Sequence, residues 1–342
     1  MLMEKTAEKT AVEPTAPPED DTPRHARRVS AGNIAYRYAL VFVWMVMAVV
    51  FAVLRPDTFP TSATIQTVFG SQSVLVVLTL ALLVTLAVGE FDLSVASTLG
   101  LAATLIARLN ALEHWPLGVT VLIALVAGVL VGFVNGALVV YIGVDAIVAT
   151  LGMGTLLLGI ALAISNSVTI GGIDQTLLDA ANQHFLGLPR SFWYGIVLAA
   201  VFWYVLQHTP LGRHLLFVGQ NRDVSRLAGI RVDRIRLGAF VATGFLSALA
   251  GVILAGTLGA FQSSVAPTYL LPAFAAAFLG STVVNPGRFN PWGSVIAIYF
   301  LITGITGLQL LGLSGWIEQV FYGGALIVAV TLSTLVRRRV VD

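Results

Sequence analysis

The sequence predicts an all-α, polytopic integral membrane protein of about ten transmembrane helices, with both termini cytoplasmic. Three observations predict it. Hydrophobic residues fill 57% of the 342 positions and charged residues only 11%, against about 25% charged in a soluble domain. Residues 1–37 hold six of the Lys/Arg and six of the Asp/Glu. That leaves 13 Arg and 11 acids for everything after them, too few to cover a water-facing surface. The remaining chain divides into apolar runs near the roughly 20 residues that a crossing helix needs.

Residues 1–37 are polar and rich in Pro, Glu and Thr, and read as a disordered cytoplasmic leader. They lack the short apolar core of a secretory signal, so the first span is expected to be retained. The membrane domain is expected over 38–336. Its spans are predicted at about 38–54, 64–88, 93–109, 117–141, 146–165, 191–207, 236–258, 269–283, 291–312 and 316–336. The third and eighth fall short of a full crossing. Gly89–Leu93 barely separates the second from the third, so a break within the membrane competes there with a turn outside it. Nine or eleven spans are the neighbouring counts.

Orientation follows from arginine, which is retained on the cytoplasmic side. Ten spans put Arg24, Arg27, Arg28 and Arg37 inside, with the six Arg of 208–236, Arg288 and the basic tail 337–342. Only Arg55, Arg108 and Arg190 fall outside. Two connections are long. Residues 166–190 are external, with a Gly171-Gly172 turn and a short amphipathic helix expected over 174–185. Residues 208–236 form the basic cytoplasmic loop.

Composition also excludes chemistry. The chain has no Cys, which removes disulfides, thiolate metal sites and Cys nucleophiles. Its two lysines, Lys5 and Lys9, lie in the leader, so no nucleotide-binding P-loop is present. The five His lie in loops or at span edges without metal-ligand spacing, and no metal site is expected. The slight basic excess suits cytoplasmic loops and anionic lipid rather than nucleic acid.

Two segments carry the functional signal. In GQNRDVSRLAGI (219–230), Asn221 is a candidate N-cap and Gly229 a candidate C′ residue. They bracket about two turns, with Val224, Leu227 and Ala228 on one face and Arg222, Asp223 and Arg226 elsewhere. Spacing alone leaves two readings open: docking into a groove of a partner, or lying among lipid headgroups. In GEFDLSVAS (89–97), Glu90 and Asp92 stand between apolar runs, where charge is costly and functional by default. Gly89 and Ser94 would allow a helix break and a new N-cap, as in helices lining a substrate path. The alternative is a cytoplasmic turn with Asp92 capping the third span.

These segments, with GFVNG (132–136), ATLG (149–152) and GRFNPWGS (287–294), occur in one order along the chain. Together they resemble the permease subunit of bacterial ATP-binding-cassette importers of the ribose/xylose/arabinose type, across 38–336. The resemblance implies a multi-pass subunit of the bacterial inner membrane. It also implies a separate ATPase subunit that binds ATP and Mg²⁺, a soluble sugar-binding protein and a second permease copy, identical or sister. The segment Asn221–Ile230 (Asn221, Arg222, Asp223, Val224, Ser225, Arg226, Leu227, Ala228, Gly229, Ile230) would be the coupling helix seated in the ATPase. Translocation-path candidates are Glu90, Asp92, Ser94, Asn135, Thr150 and Thr155. The sequence departs from the family at Val144-Asp145-Ala146, where prolines are usual, and at VVNPGRFNPWG (283–293), where a Gly-rich stretch is usual.

A rival reading is an ion-coupled secondary transporter with Glu90, Asp92 or Asp145 carrying protons. A membrane-embedded lipid enzyme would need clustered acids or His, which are absent. Small residues at four-residue spacing, Gly128/Gly132/Gly136 and Gly251/Ala255/Gly259, predict close helix approach. Packing within the chain is the expected use, ahead of a subunit interface.

Overall fold

The computed structural model describes residues 38–341, with side chains through Thr331; the expected leader lies outside the described residues. Among the described residues eight helices are long and apolar enough to cross a membrane, and Ala39–Leu54 and Trp316–Thr331 are shorter apolar stretches. These ten segments match the ten predicted spans. The helices are α1 (Ala39–Leu54), α2 (Ser62–Gly70), α3 (Ser73–Ala87), α4 (Val95–Ile106), α5 (Leu117–Ala137), α6 (Ala146–Ser165), α7 (Gln175–Asn182) and α8 (Arg190–His208). There follow α9 (Pro210–Gln220), α10 (Arg222–Leu227), α11 (Val232–Leu258), α12 (Leu270–Gly280), α13 (Pro291–Leu310) and α14 (Trp316–Val341).

Three boundaries differ from expectation. The third span is not short, because α4 continues as a π-helical stretch, Ala107–Leu112, to a combined length of 18 residues. The eighth begins as a 3₁₀ segment, Ser263–Tyr269, before α12. Pro267 and Pro272 lack the N–H that a continuous α-helix would use there. The basic stretch 337–341 is the end of α14 rather than a separate tail.

Helix α3 reads SVLVVLTLALLVTLA, apolar on every side, and every one of its residues is buried. A helix of that kind belongs in the middle of a bundle. It is surrounded by α4, α8, α11, α12 and α13. The long helix α11 is a second hub, packing on α3, α4, α5 and α7, and its Thr243 Oγ1 donates to Ala81 O of α3 at 2.9 Å. Where α5 crosses α11, Gly128 and Gly132 face Gly244 and Phe240 with backbones in contact. The small-residue spacing in α5 thus packs within the chain. Helices α5, α6 and α8 keep most of their apolar surface outward.

At the end of the bundle opposite the arginine loop, β1 (Ile170–Gly171) pairs antiparallel with a later strand, and β2 (His184–Phe185) with β3 (Leu188–Pro189). The partner of β1 is β4 (Ala260–Phe261). The helix expected over 174–185 is α7; Asp174 Oδ1 caps it by accepting from Thr176 N at 2.7 Å. The β2–β3 hairpin ends it earlier than predicted, by redirecting the chain at Gln183.

Candidate coupling and translocation site

The break between α3 and α4 organises the site. Helix α3 stops at Ala87, and Gly89 turns the chain with φ +76°, a conformation costly for any side chain. Three residues before α4 begins, Asp92 Oδ1 accepts from Ser94 N at 2.9 Å and from Ser94 Oγ at 2.6 Å. The capping group is therefore Asp92, while Ser94 occupies the N-cap position without a side-chain bond to the helix. Asn135 Nδ2 of α5 donates to Ser94 Oγ at 2.9 Å. Thr150 Oγ1 of α6 accepts from Leu93 N at 3.0 Å and donates to Ala146 O at 2.7 Å.

Four of the six path candidates thus meet at one place. All four are buried, and they hold the broken segment against α5 and α6. The hydrogen bonds explain why the backbone can leave helical geometry here, since the freed polar groups find side-chain partners. Asn135 Oδ1 is buried with no partner among the described residues. Thr155 lies elsewhere, on the outward face of α6, with its hydroxyl donating to Leu151 O. It borders a shallow groove of about 890 Å³ with Leu151, Gly152 and Gly159.

Glu90 sits in an ion triad. Its Oε1 accepts from Arg236 Nε at 2.7 Å and Nη2 at 2.5 Å, and from Arg222 Nη2 at 2.6 Å. Glu90 is only 4% exposed and Arg236 of α11 is also buried, whereas Arg222 is partly open to solvent. A buried carboxylate needs such partners to stay charged. Arg222 is the first residue of α10, so the triad fastens the short helix to the α3–α4 break and to α11 at once. Beneath it, α9 lies so close to the end of α3 that a Cβ on Gly219 would meet Ala87 O.

Helix α10 itself has the expected caps. Asn221 Oδ1 accepts from Asp223 N at 3.0 Å and Val224 N at 3.1 Å. Gly229 has φ +80°. Ser225 is buried and donates to Asn221 O, and Arg226 Nη2 reaches Asp233 Oδ1 at 3.1 Å, pinning the other end to α11. Val224 and Leu227 are 51% and 89% exposed, an apolar pair turned away from the bundle. Asp223, Ala228 and Gly229 are exposed beside them, and Ile230 is half-buried.

Each of the three acids of the rival reading has partners within the chain. Glu90 is held by two guanidiniums, Asp92 caps α4, and Asp145 is an exposed N-cap whose Oδ1 accepts from Ile147 N and Val148 N. The partners of Glu90 were not assigned from sequence. Arg236 stands at the polar start of α11, one of the six arginines of the basic loop, and its spacing alone does not mark it as the partner.

The fold is that of a multi-pass membrane permease, and comparison with known proteins gives its family. Residues 64–330 match the family described as branched-chain amino acid transport system / permease component, and the chain belongs to it. The ribose import permease protein RbsC of Haemophilus influenzae is 30% identical over 84% of this chain and 89% of its own. The autoinducer 2 import system permease protein LsrD of Salmonella typhimurium is 33% identical over 71% of this chain and 74% of its own. LsrD of Photorhabdus temperata is 30% identical over 87% and 92%. No solved structure matches. The chain is accordingly a permease of the bacterial inner membrane.

Proposed function

We propose that this chain is the membrane-spanning subunit of an ATP-driven importer, carrying a monosaccharide or related polyol into the cytoplasm by alternating access. A separate ATPase subunit binds the Mg²⁺ and ATP and drives the cycle. The arginine distribution supports a cytoplasmic side for both termini and α10. A second permease copy completes the path, and a soluble sugar-binding protein delivers substrate at 166–190. The names of the relatives, ribose import and autoinducer 2 import, support the substrate class.

The observation that carries the reading is the ion triad. An exposed apolar pair on α10 suits a cleft on a partner, and Arg222 joins that helix to a buried acid at a helix break. A push on α10 is therefore delivered to α3, α4 and α11 rather than dissipated in a loop. The secondary-carrier reading has no comparable support.

Leu227→Asp tests this. Leu227 is almost fully exposed, so folding and insertion are expected to be normal. A charge on a docking contact of this kind costs about tenfold or more in affinity. The tagged chain should co-purify with a P-loop ATPase, the variant should lose it, and ATP-driven uptake in proteoliposomes should fall by a similar factor. Normal uptake by the variant, or uptake by this chain alone, would refute the assignment. Asn135→Leu should leave stability within about 1 kcal/mol, since Ser94 keeps its bond to Asp92 and an unpartnered oxygen is removed. Uptake should fall further than stability does; equal loss of both would reduce Asn135 to packing.

A further inference from the structure

A second polar region lies at the opposite end of the bundle from the triad. There α2, the α2–α3 junction, the 3₁₀ segment leading into α12, and α14 enclose a cavity of about 500 Å³. Its polar lining includes Gln66, Gln72, Tyr269, Glu318 and Tyr322, and Leu254 contributes to its apolar floor. The cavity is built from helices of one copy of the chain. It is separate from the outward groove on α6 and from the cluster around Asp92.

The lining is underused by the protein. Tyr322 is only 4% exposed and its hydroxyl makes no hydrogen bond among the described residues, and that hydroxyl is not sealed in the core; it lines the cavity. Glu318 has no ion-pair partner among the described residues, and no Lys or Arg lines the cavity. Buried phenols normally find a partner. Here the phenol lines the cavity, where a ligand hydroxyl can reach it.

The chemistry of the wall narrows the occupant. A carboxylate offers strong acceptors, phenols and carboxamides offer both donor and acceptor, and two aromatic rings offer flat apolar faces. That combination matches a small molecule dense in hydroxyls with a C–H face. A lone negative charge disfavours an anion. The volume lies in the range of small-molecule sites.

We propose that each copy of the permease carries a low-affinity subsite for a monosaccharide or polyol in this cavity, with Glu318, Tyr322 and Tyr269 as its principal contacts. The proposal rests on the importer reading, which fixes that end as the side where substrate arrives. The site would receive sugar leaving its delivery protein and hold it beside the path.

The test uses the full chain in lipid nanodiscs, without ATPase or binding protein, titrated calorimetrically with D-ribose, D-xylose, D-glucose and xylitol. Saturable binding of at least one is expected, weakened about tenfold or more by Glu318→Gln and by Tyr322→Phe. Glu113→Gln, an exposed site in another ion pair, should change nothing. Glu318 is exposed, so its variant folds even if Tyr322→Phe does not. No saturable polyol binding, binding insensitive to Glu318→Gln, or binding of Na⁺ in place of polyol would overturn the subsite. Uptake by the assembled importer is measured in parallel. Intact ATP-driven polyol uptake with no binding to the isolated chain overturns the subsite alone, whereas no polyol uptake and no binding overturn both readings.

Discussion

Glu90→Ala is expected to abolish ATP-driven uptake and to destabilise the folded chain by about 3–5 kcal/mol, because it leaves the buried Arg236 without a counter-charge. Such a variant alone does not separate transmission from stability. The pair Glu90→Leu/Arg236→Met does. Replacing both members of a buried ion pair with apolar groups is generally neutral or stabilising by about 1–4 kcal/mol. Arg222, already partly exposed, can turn into water. The double variant should therefore regain its unfolding temperature in detergent while uptake in proteoliposomes stays lost, since α10 no longer has a charged link to the α3–α4 break. Arg222→Gln should give the same phenotype on a fully native fold. Normal uptake by the double variant would make the triad a packing device and place transmission in the close contact of α9 with α3.

The same residues show how far sequence alone reached. The break at GEFDLS, the caps of α10 at Asn221 and Gly229, and the outward apolar pair Val224 and Leu227 are local features, set by residue types a few positions apart. They were legible for that reason. The join of Glu90 to Arg222 and Arg236 spans 132 and 146 positions. No local pattern encodes which arginine of a loop carrying six will meet a given acid. Asp92, Ser94, Asn135 and Thr150 were singled out because polar groups in apolar helices must find partners. That rule does not say whether the partner is a substrate or another helix. Their bonds are to one another and to nearby backbone, and Thr155 alone of the six path candidates faces outward.

Span count was legible because hydrocarbon thickness imposes a length that apolar runs must meet. The spans misjudged were those in which backbone geometry changes within one apolar run. The π-helical stretch after Ile106 has no breaker residue to announce it, and the 3₁₀ entry to α12 is marked only by Pro267 and Pro272. The cavity around Tyr322 was invisible for a third reason. Its walls come from α2, the α2–α3 junction, α11, the 3₁₀ segment before α12 and α14, and Glu318 reads in sequence as an ordinary first-turn acid.

Gly132→Val is expected to be among the most damaging single changes in the membrane domain, and the reason lies in the α5–α11 crossing. A Cβ at Gly132 would stand 2.3 Å from Phe240 O, and one at Gly244 would stand 2.1 Å from Gly128 O. These neighbours are backbone and cannot rotate aside. Relief requires moving α5 off α11, which also carries Thr243 on α3 and Arg236 on Glu90. Overpacking a core ordinarily costs about 1–3 kcal/mol. With two hubs displaced, the loss should reach or pass the top of that range, read as failure to insert or as a collapsed unfolding temperature. The control is Gly152→Ala. A Cβ there meets nothing within 4 Å, so the single chain should gain the about 0.5–1 kcal/mol of helix propensity that separates Ala from Gly. If Gly152→Ala instead weakens self-association of the permease while the monomer stays stable, the outward groove of α6 is covered by the second copy. The glycine spacing in α5 then serves folding, and that of α6 serves assembly.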